Sequence, residues 1–149
     1  MNNKNYFSIK FPSRSANEGF ARAAVSAFVT QLDPTLEEIN DIKTAVSEAV
    51  TNCIVHAYKD KIGLIYITCE MTDDGCIKVK IKDKGCGIPD IKAAMQPLFT
   101  TIGGERAGLG FAVMESFSDN IRVISNVNKG TTVVLTKKIK PRISTNVKK

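Results

Sequence analysis

The stretch IKTAVSEAVTNCIVHA, residues 42–57, decides how this chain folds. Its Ile42, Ala45, Val46, Ala49, Val50, Cys53, Ile54 and Ala57 recur at i, i+3, i+4 and i+7, which makes one continuous apolar helix face. At about 100° per residue, Glu48 lies roughly opposite that face, and Asn52, one turn on, flanks it. Both polar side chains can therefore face a cleft while the helix packs on a sheet. On pattern alone, a solvated Glu and a polar Asn on a helix exterior are the commoner reading. His56 drifts back toward the apolar edge, where a hydrogen-bonded structural histidine is commoner than a catalytic one.

Working outward, residues 6–11 alternate as a strand that Pro12 closes. Ser15, three residues before Glu18, has the spacing of a capping box. Phe20, Ala23, Ala24, Ala27 and Phe28 then predict a first helix to about residue 31. Asp33-Pro34 fits an N-cap followed by Pro at the first helical position, and Thr35 with Glu38 is a competing cap. Beyond Gly63, residues 64–70 and 77–82 read as strands joined through the hairpin signal Asp73-Asp74-Gly75. Residues 84–110 are Gly-rich and weakly patterned, 111–117 helical, and 121–125 and 131–137 a closing pair of strands. With no internal repeat and no second domain, the fold class is α+β: a two-layer sandwich with helices on one face of a mostly antiparallel sheet. One domain over residues 1–139 and a basic tail over 140–149 are expected.

Composition narrows the function classes. A chain of 149 residues, 43% hydrophobic and 24% charged, has the size and balance of one globular domain. No apolar run approaches the ~18 residues of a membrane span, and the polar amino terminus lacks a signal-peptide core. A cytoplasmic protein without a membrane role is expected. The net charge of +6 comes from residues 137–149, which hold six Lys or Arg and no acid; the rest balances at fifteen of each sign. An excess confined to a tail argues against a nucleic-acid surface. Cys53, Cys69, Cys76 and Cys86 show neither a CxxC pair nor zinc spacing, so structural thiols in a reducing compartment are expected, with Cys53 a small hydrophobe in the helix stripe.

Two Gly-rich segments give the helix its context. Asp83-Lys84-Gly85-Cys86-Gly87-Ile88-Pro89 follows a strand directly, and its glycines let backbone pass close to a flat ligand. Gly108-Leu109-Gly110 directly precedes a helix, where free N–H groups make an anion site. Each alone is weak, since such loops are usually turns. The sequence has no GxxxxGK[ST] and no GxGxxG, so neither the P-loop nor the dinucleotide-fold mechanism applies.

As an ordered set, Ser15-Ala16-Asn17-Glu18-Gly19-Phe20-Ala21-Arg22, Ser47-Glu48-Ala49-Val50-Thr51-Asn52, Asp83 with its loop, Pro97-Leu98-Phe99-Thr100-Thr101 and Gly130-Thr131-Thr132 resemble one superfamily. It is the group of ATPases and kinases that includes DNA gyrase B, MutL and the catalytic domains of histidine kinases. Within it the chain is most similar to the anti-sigma-factor serine kinases of sporulating bacteria, over residues 7–139. The resemblance implies a Bergerat-type ATP-binding fold with a mixed sheet, ATP or ADP with Mg²⁺ as cofactors, and regulation of transcription in sporulation.

It also implies roles. Asn52 gives its amide oxygen to Mg²⁺, which takes oxygen ligands and keeps waters and phosphate oxygens. Glu48 accepts the proton of the attacking hydroxyl, or orients it, during transfer of the γ-phosphate. Asp83 accepts from the adenine amine; guanine places an oxygen there, so ATP is preferred over GTP. Gly85 and Gly87 allow approach of the base, and Thr131 adds a polar contact. Ile88 and Leu109 serve equally as walls of the site or as ordinary core. Residues 92–107 form a lid, in which Thr100, Thr101 and Arg106, with the amides of Gly108, Leu109 and Gly110, reach the phosphates. Many relatives carry a lysine where this chain has Ile102, and a glycine where it has Ala57. The implied partners are a sigma factor, an anti-anti-sigma protein as serine substrate, and a second copy of the chain, with Glu18 and Arg22 as candidate partner contacts. An ATPase would use Glu48 on water instead, and a purely binding anti-sigma protein could dispense with Glu48 and Asn52.

Overall fold

In the computed structural model, which describes residues 3–95 and 107–141, the alternating stretches form five strands. They are β1 (Asn3–Pro12), β2 (Leu64–Thr72), β3 (Cys76–Asp83), β4 (Asn120–Asn126) and β5 (Gly130–Lys138), in the order β1-β2-β3-β5-β4. All four pairings are antiparallel, and no parallel pair occurs among the described residues. Register then decides which residues meet. Phe7, Cys69, Val79, Leu135 and Ile121 form one inward row, and Ile9, Ile67, Ile81, Val133 and Val123 the next. The third row runs Phe11, Ile65, Asp83, Thr131 and Ser125, so the apolar core turns polar at one end of the sheet.

Helices cover this inward face. They are α1 (Ala16–Val29) with a 3-10 turn (Thr30–Leu32), α2 (Leu36–Asn52), the four-residue α3 (Ile91–Ala94) and α4 (Ala107–Ser116). The stripe of α2 buries Ile42, Ala45, Val46, Ala49 and Val50 as its spacing demands, and α2 packs between α1 and α4. Phe28 and Phe20 of α1 meet Phe7 and Phe11 of β1 edge-on, at 4.9 and 5.9 Å between ring centroids. The opposite sheet face is open and carries exposed Lys10, Lys78, Lys80, Lys82 and Arg122. Among the described residues, no helix is long and apolar enough to cross a membrane.

Several local expectations are corrected. Ser15 does not cap α1: its own backbone is already helical (φ −58°, ψ −30°), whereas a capping side chain needs extended geometry. Glu18 is thereby released to other partners. Between the alternatives for α2, Thr35 is the cap; its side chain accepts from Glu38 N–H while Glu38 accepts from Thr35 N–H, an arrangement worth about 1 kcal/mol. Asp33 instead adopts a left-handed conformation (φ 53°) that ends the preceding 3-10 turn. The α-helix stops at Asn52, and residues Cys53–Ala57 form a π-helical turn that Tyr58 N–H closes onto Cys53 O at 3.1 Å. Such a widened turn often marks a functional site.

Candidate functional site

Beside this π-turn, a cavity of about 400 Å³ opens between α2, the polar end of the sheet, the 84–90 loop and the α3–α4 side. Asn52, Asp83, Gly87, Ile88 and Thr131 all line it, as do Cys53, His56, Ala94 and Phe111. Its volume and largely apolar walls, with a few converging polar groups, suit a small planar ligand.

Asp83 is the most constrained member. Only 5% exposed, it sits at the last position of β3, where strand alternation aims its side chain inward. Its Oδ1 accepts from Gly85 N–H at 2.9 Å and Thr131 N–H at 3.2 Å, while Oδ2 faces the Cys53 thiol at 3.5 Å. Burial pushes the carboxyl above its ordinary value, and the bonds from Gly85, Cys53 and Thr131 pull back against that. Cys53 is buried, as expected of a small hydrophobe, and its thiol also donates to Asp83; burial together with the Asp83 charge raises its pKa far above the ordinary thiol range, which keeps it an inert thiol. Thr131 Oγ1 lies 2.8 Å from Ser125 Oγ, which also accepts from Ile88 N–H at 2.7 Å. One hydroxyl thus ties β4, β5 and the loop into a single wall.

The loop glycines answer to the protein's own backbone. A Cβ on Gly85 would stand 2.4 Å from Ala57 O, and one on Gly87, whose φ is +78°, 2.2 Å from Asn126 O. Close approach of a ligand is therefore not needed to explain them. The loop is pinned further by Cys86 N–H on Ala57 O, by Asn128 N–H on Cys86 O, and by Lys84 N–H on the Tyr58 hydroxyl.

Glu48 does not line this cavity. It opens into a neighbouring cleft of about 350 Å³, shared with Arg22, Asn40, Lys43, Thr44 and Ser47. There Glu18 accepts from Arg22 Nη1 at 3.0 Å and from the Ser47 hydroxyl, which joins α1 to α2. Helix α4 begins four residues earlier than predicted, so the Gly108–Gly110 stretch lies in its first turn instead of preceding it. The free N–H groups of that turn remain at the helix N-terminus. Gly110 backs onto Asn52, whose Oδ1 would be 3.0 Å from an added Cβ. Thr100, Thr101 and Arg106 lie outside the described residues, and Ile91–Ala94, at the start of the expected lid, is a helix capped by Asp90.

Sequence reasoning passed over Ser125, Tyr58, Phe111 and the Cys53 contact. Ser125 was legible in part, as a polar residue at the alternation position where β4 should be apolar; the other three depend on the π-turn and on how α4 packs.

Residues 11–137 match the histidine kinase-like ATPase domain, and the chain belongs to that family. Its branch is that of proteins named anti-sigma F factor. The chain is 56% identical to the one from Caldanaerobacter subterraneus subsp. tengcongensis over 140 residues, covering 93% of this chain and 97% of the relative. It is 52% identical to that of Geobacillus kaustophilus over 138 residues, 91% of this chain and 94% of the relative. Among solved structures, the RsbU and RsbW domains of Rv1364c from Mycobacterium tuberculosis share the fold at a TM-score of 0.69 and 20% identity, covering 95% of this chain and 35% of theirs. The histidine kinase domain of the Erythrobacter litoralis blue-light activated kinase does so at 0.57 and 18%, covering 82% and 65%.

Proposed function

We propose that this chain is an ATP-dependent protein-serine kinase that binds and inhibits a sporulation sigma factor and phosphorylates that factor's anti-anti-sigma antagonist. The observation that carries the reading is the placement of Glu48: one turn from Asn52, yet facing a separate open cleft. A protein hydroxyl can reach a base there without entering the nucleotide cavity.

Asp83 accepts from the adenine amine through Oδ2, and the two N–H bonds on Oδ1 keep it from turning away. Thr131, oriented by Ser125, adds a polar contact, and Ile88 and Phe111 flank the base. A magnesium ion, when bound with the nucleotide, neutralises phosphate charge; Asn52 offers it one amide oxygen, which fits an ion that keeps most of its shell as water and phosphate. The amides of Gly108, Leu109 and Gly110 lie in the first turn of α4, where a helix N-terminus would offer N–H donors to the same phosphates. Thr100, Thr101 and Arg106 complete the set as phosphate contacts. Glu48 takes or orients the serine proton as the oxygen attacks, contributing the ~10²–10⁴-fold typical of a general base.

The relatives' name supports a sigma factor as partner, which would place the chain in the cytoplasm. Glu18 and Arg22, joined at the mouth of the cleft, are the proposed partner contacts. β1 is an edge strand and offers backbone groups for pairing in a homodimer.

Incubation with labelled ATP, Mg²⁺ and the anti-anti-sigma protein tests the reading. Phosphoserine on that protein is the expected result. Label released only as free phosphate would make the chain an ATPase, and bound ATP without turnover would make it a nucleotide-gated sigma-binding module.

A further inference from the structure

Beside the Glu48 cleft lies an open groove of about 680 Å³ between α1 and the start of α2. Its α1 wall is built from small residues, Gly19, Ala23, Ser26 and Ala27, and its far wall includes Leu36 and Ile39. Groove and cleft share two lining residues, Arg22 and Lys43. A chain lying in the groove therefore passes between two cations before it reaches Glu48. The two are not equivalent. Arg22 is held by Glu18 at 3.0 Å, whereas no ion pair of Lys43 occurs among the described residues.

We infer that this groove seats the acceptor protein's segment around its serine, and that Lys43 selects segments carrying a carboxylate close to that serine. The inference rests on the kinase reading above and specifies its substrate class. Three features support it. The groove's small-residue wall leaves room for a polypeptide. It is continuous with the cleft that holds the proposed base. An unpaired ammonium at the junction stabilises a carboxylate there and repels a basic segment, which is how a half-exposed charge contributes to specificity more than to affinity. Lys43 stands outside the nucleotide cavity, so its effect falls on the acceptor and not on ATP.

Lys43→Met and Lys43→Glu are compared with the unaltered chain in the transfer assay, using the anti-anti-sigma protein as acceptor. Direct binding of that acceptor in the presence of ADP is measured in parallel by titration calorimetry. The KM for the acceptor should rise about three- to tenfold with Met and further with Glu, the charge-pair range for partly exposed sites. Turnover number and ATP affinity should hold. Added salt should raise the KM of the unaltered chain more steeply than that of Lys43→Met. Changing an acidic residue near the phosphorylated serine to Lys should recover activity with Lys43→Glu. An unchanged KM and binding constant in both variants, or a fall in turnover at constant KM, overturns the inference. Should the unaltered chain transfer no label, the kinase reading fails, and the calorimetric comparison still decides whether Lys43 reads the acceptor.

Discussion

The cavity at Asp83 and the cleft at Glu48 lie about one turn of α2 apart and are built in contrasting ways. At Asp83 the groups are buried and fixed by backbone: two N–H donors hold one carboxylate oxygen, a thiol meets the other, and the loop beside it is bonded to the π-turn. At Glu48 the walls are long polar side chains on two helices, joined through Glu18, Arg22 and Ser47 and open to solvent. Pre-organisation lowers the ordering cost of a ligand that is always the same, as a purine is. An open, charged surface suits a macromolecule that brings part of the site with it. On the proposed function, the contrast separates a preformed nucleotide end from an acceptor end that the partner would complete.

The largest effect should come from breaking the preformed end at its centre. Asp83→Asn sets an amide donor against the adenine amine, and ATP affinity measured by calorimetry should fall about ten- to a hundredfold, together with the preference over GTP. Unchanged affinity would detach Asp83 from base recognition. Next, Gly87→Ala forces a Cβ into the Asn126 carbonyl at a left-handed position. Denaturant unfolding should show a loss of about 1–3 kcal/mol, with weaker ATP binding, if the loop is as rigid as its bonds imply.

A smaller effect concerns stability against pH. Burial raises the Asp83 carboxyl above its usual 3.8. A carboxyl raised in this way contributes its stability below the unfolded value and loses it as pH rises through the folded value. Ionised Asp83 therefore costs stability at neutral pH. Ligand-free Asp83→Asn should be at least as stable as the unaltered chain at pH 7, with the gap closing as pH falls and Asp83 takes up its proton. The same substitution would then weaken binding without weakening the fold, as expected of a group kept for function.

The fold was legible because its pattern is strong. The α2 stripe and the alternation of β2 and β3 left little choice of layer or face, and the hairpin turn followed from Asp-Asp-Gly. Asp83 and Thr131 could be named from their places in Gly-rich context, although only register shows that they share a row with Ser125. The failures have physical causes. Ser15 and Glu18 match a capping box in spacing, but Glu18 finds better partners in Arg22 and Ser47 across the helix pair. Helical spacing was extended through Ala57, whereas five residues at the end of α2 widen into a π-turn. Gly85 and Gly87, expected to let a ligand approach, also leave room for the carbonyls of Ala57 and Asn126, and Gly87 lines the cavity as well.

Glu48→Gln tests the central claim most directly, because it alters the open end and leaves the preformed end intact. ATP affinity and phosphoserine formed on the anti-anti-sigma protein are measured on the same preparation. The account predicts affinity within about twofold and transfer reduced by at least about a hundredfold. Transfer retained at the unaltered rate would contradict it.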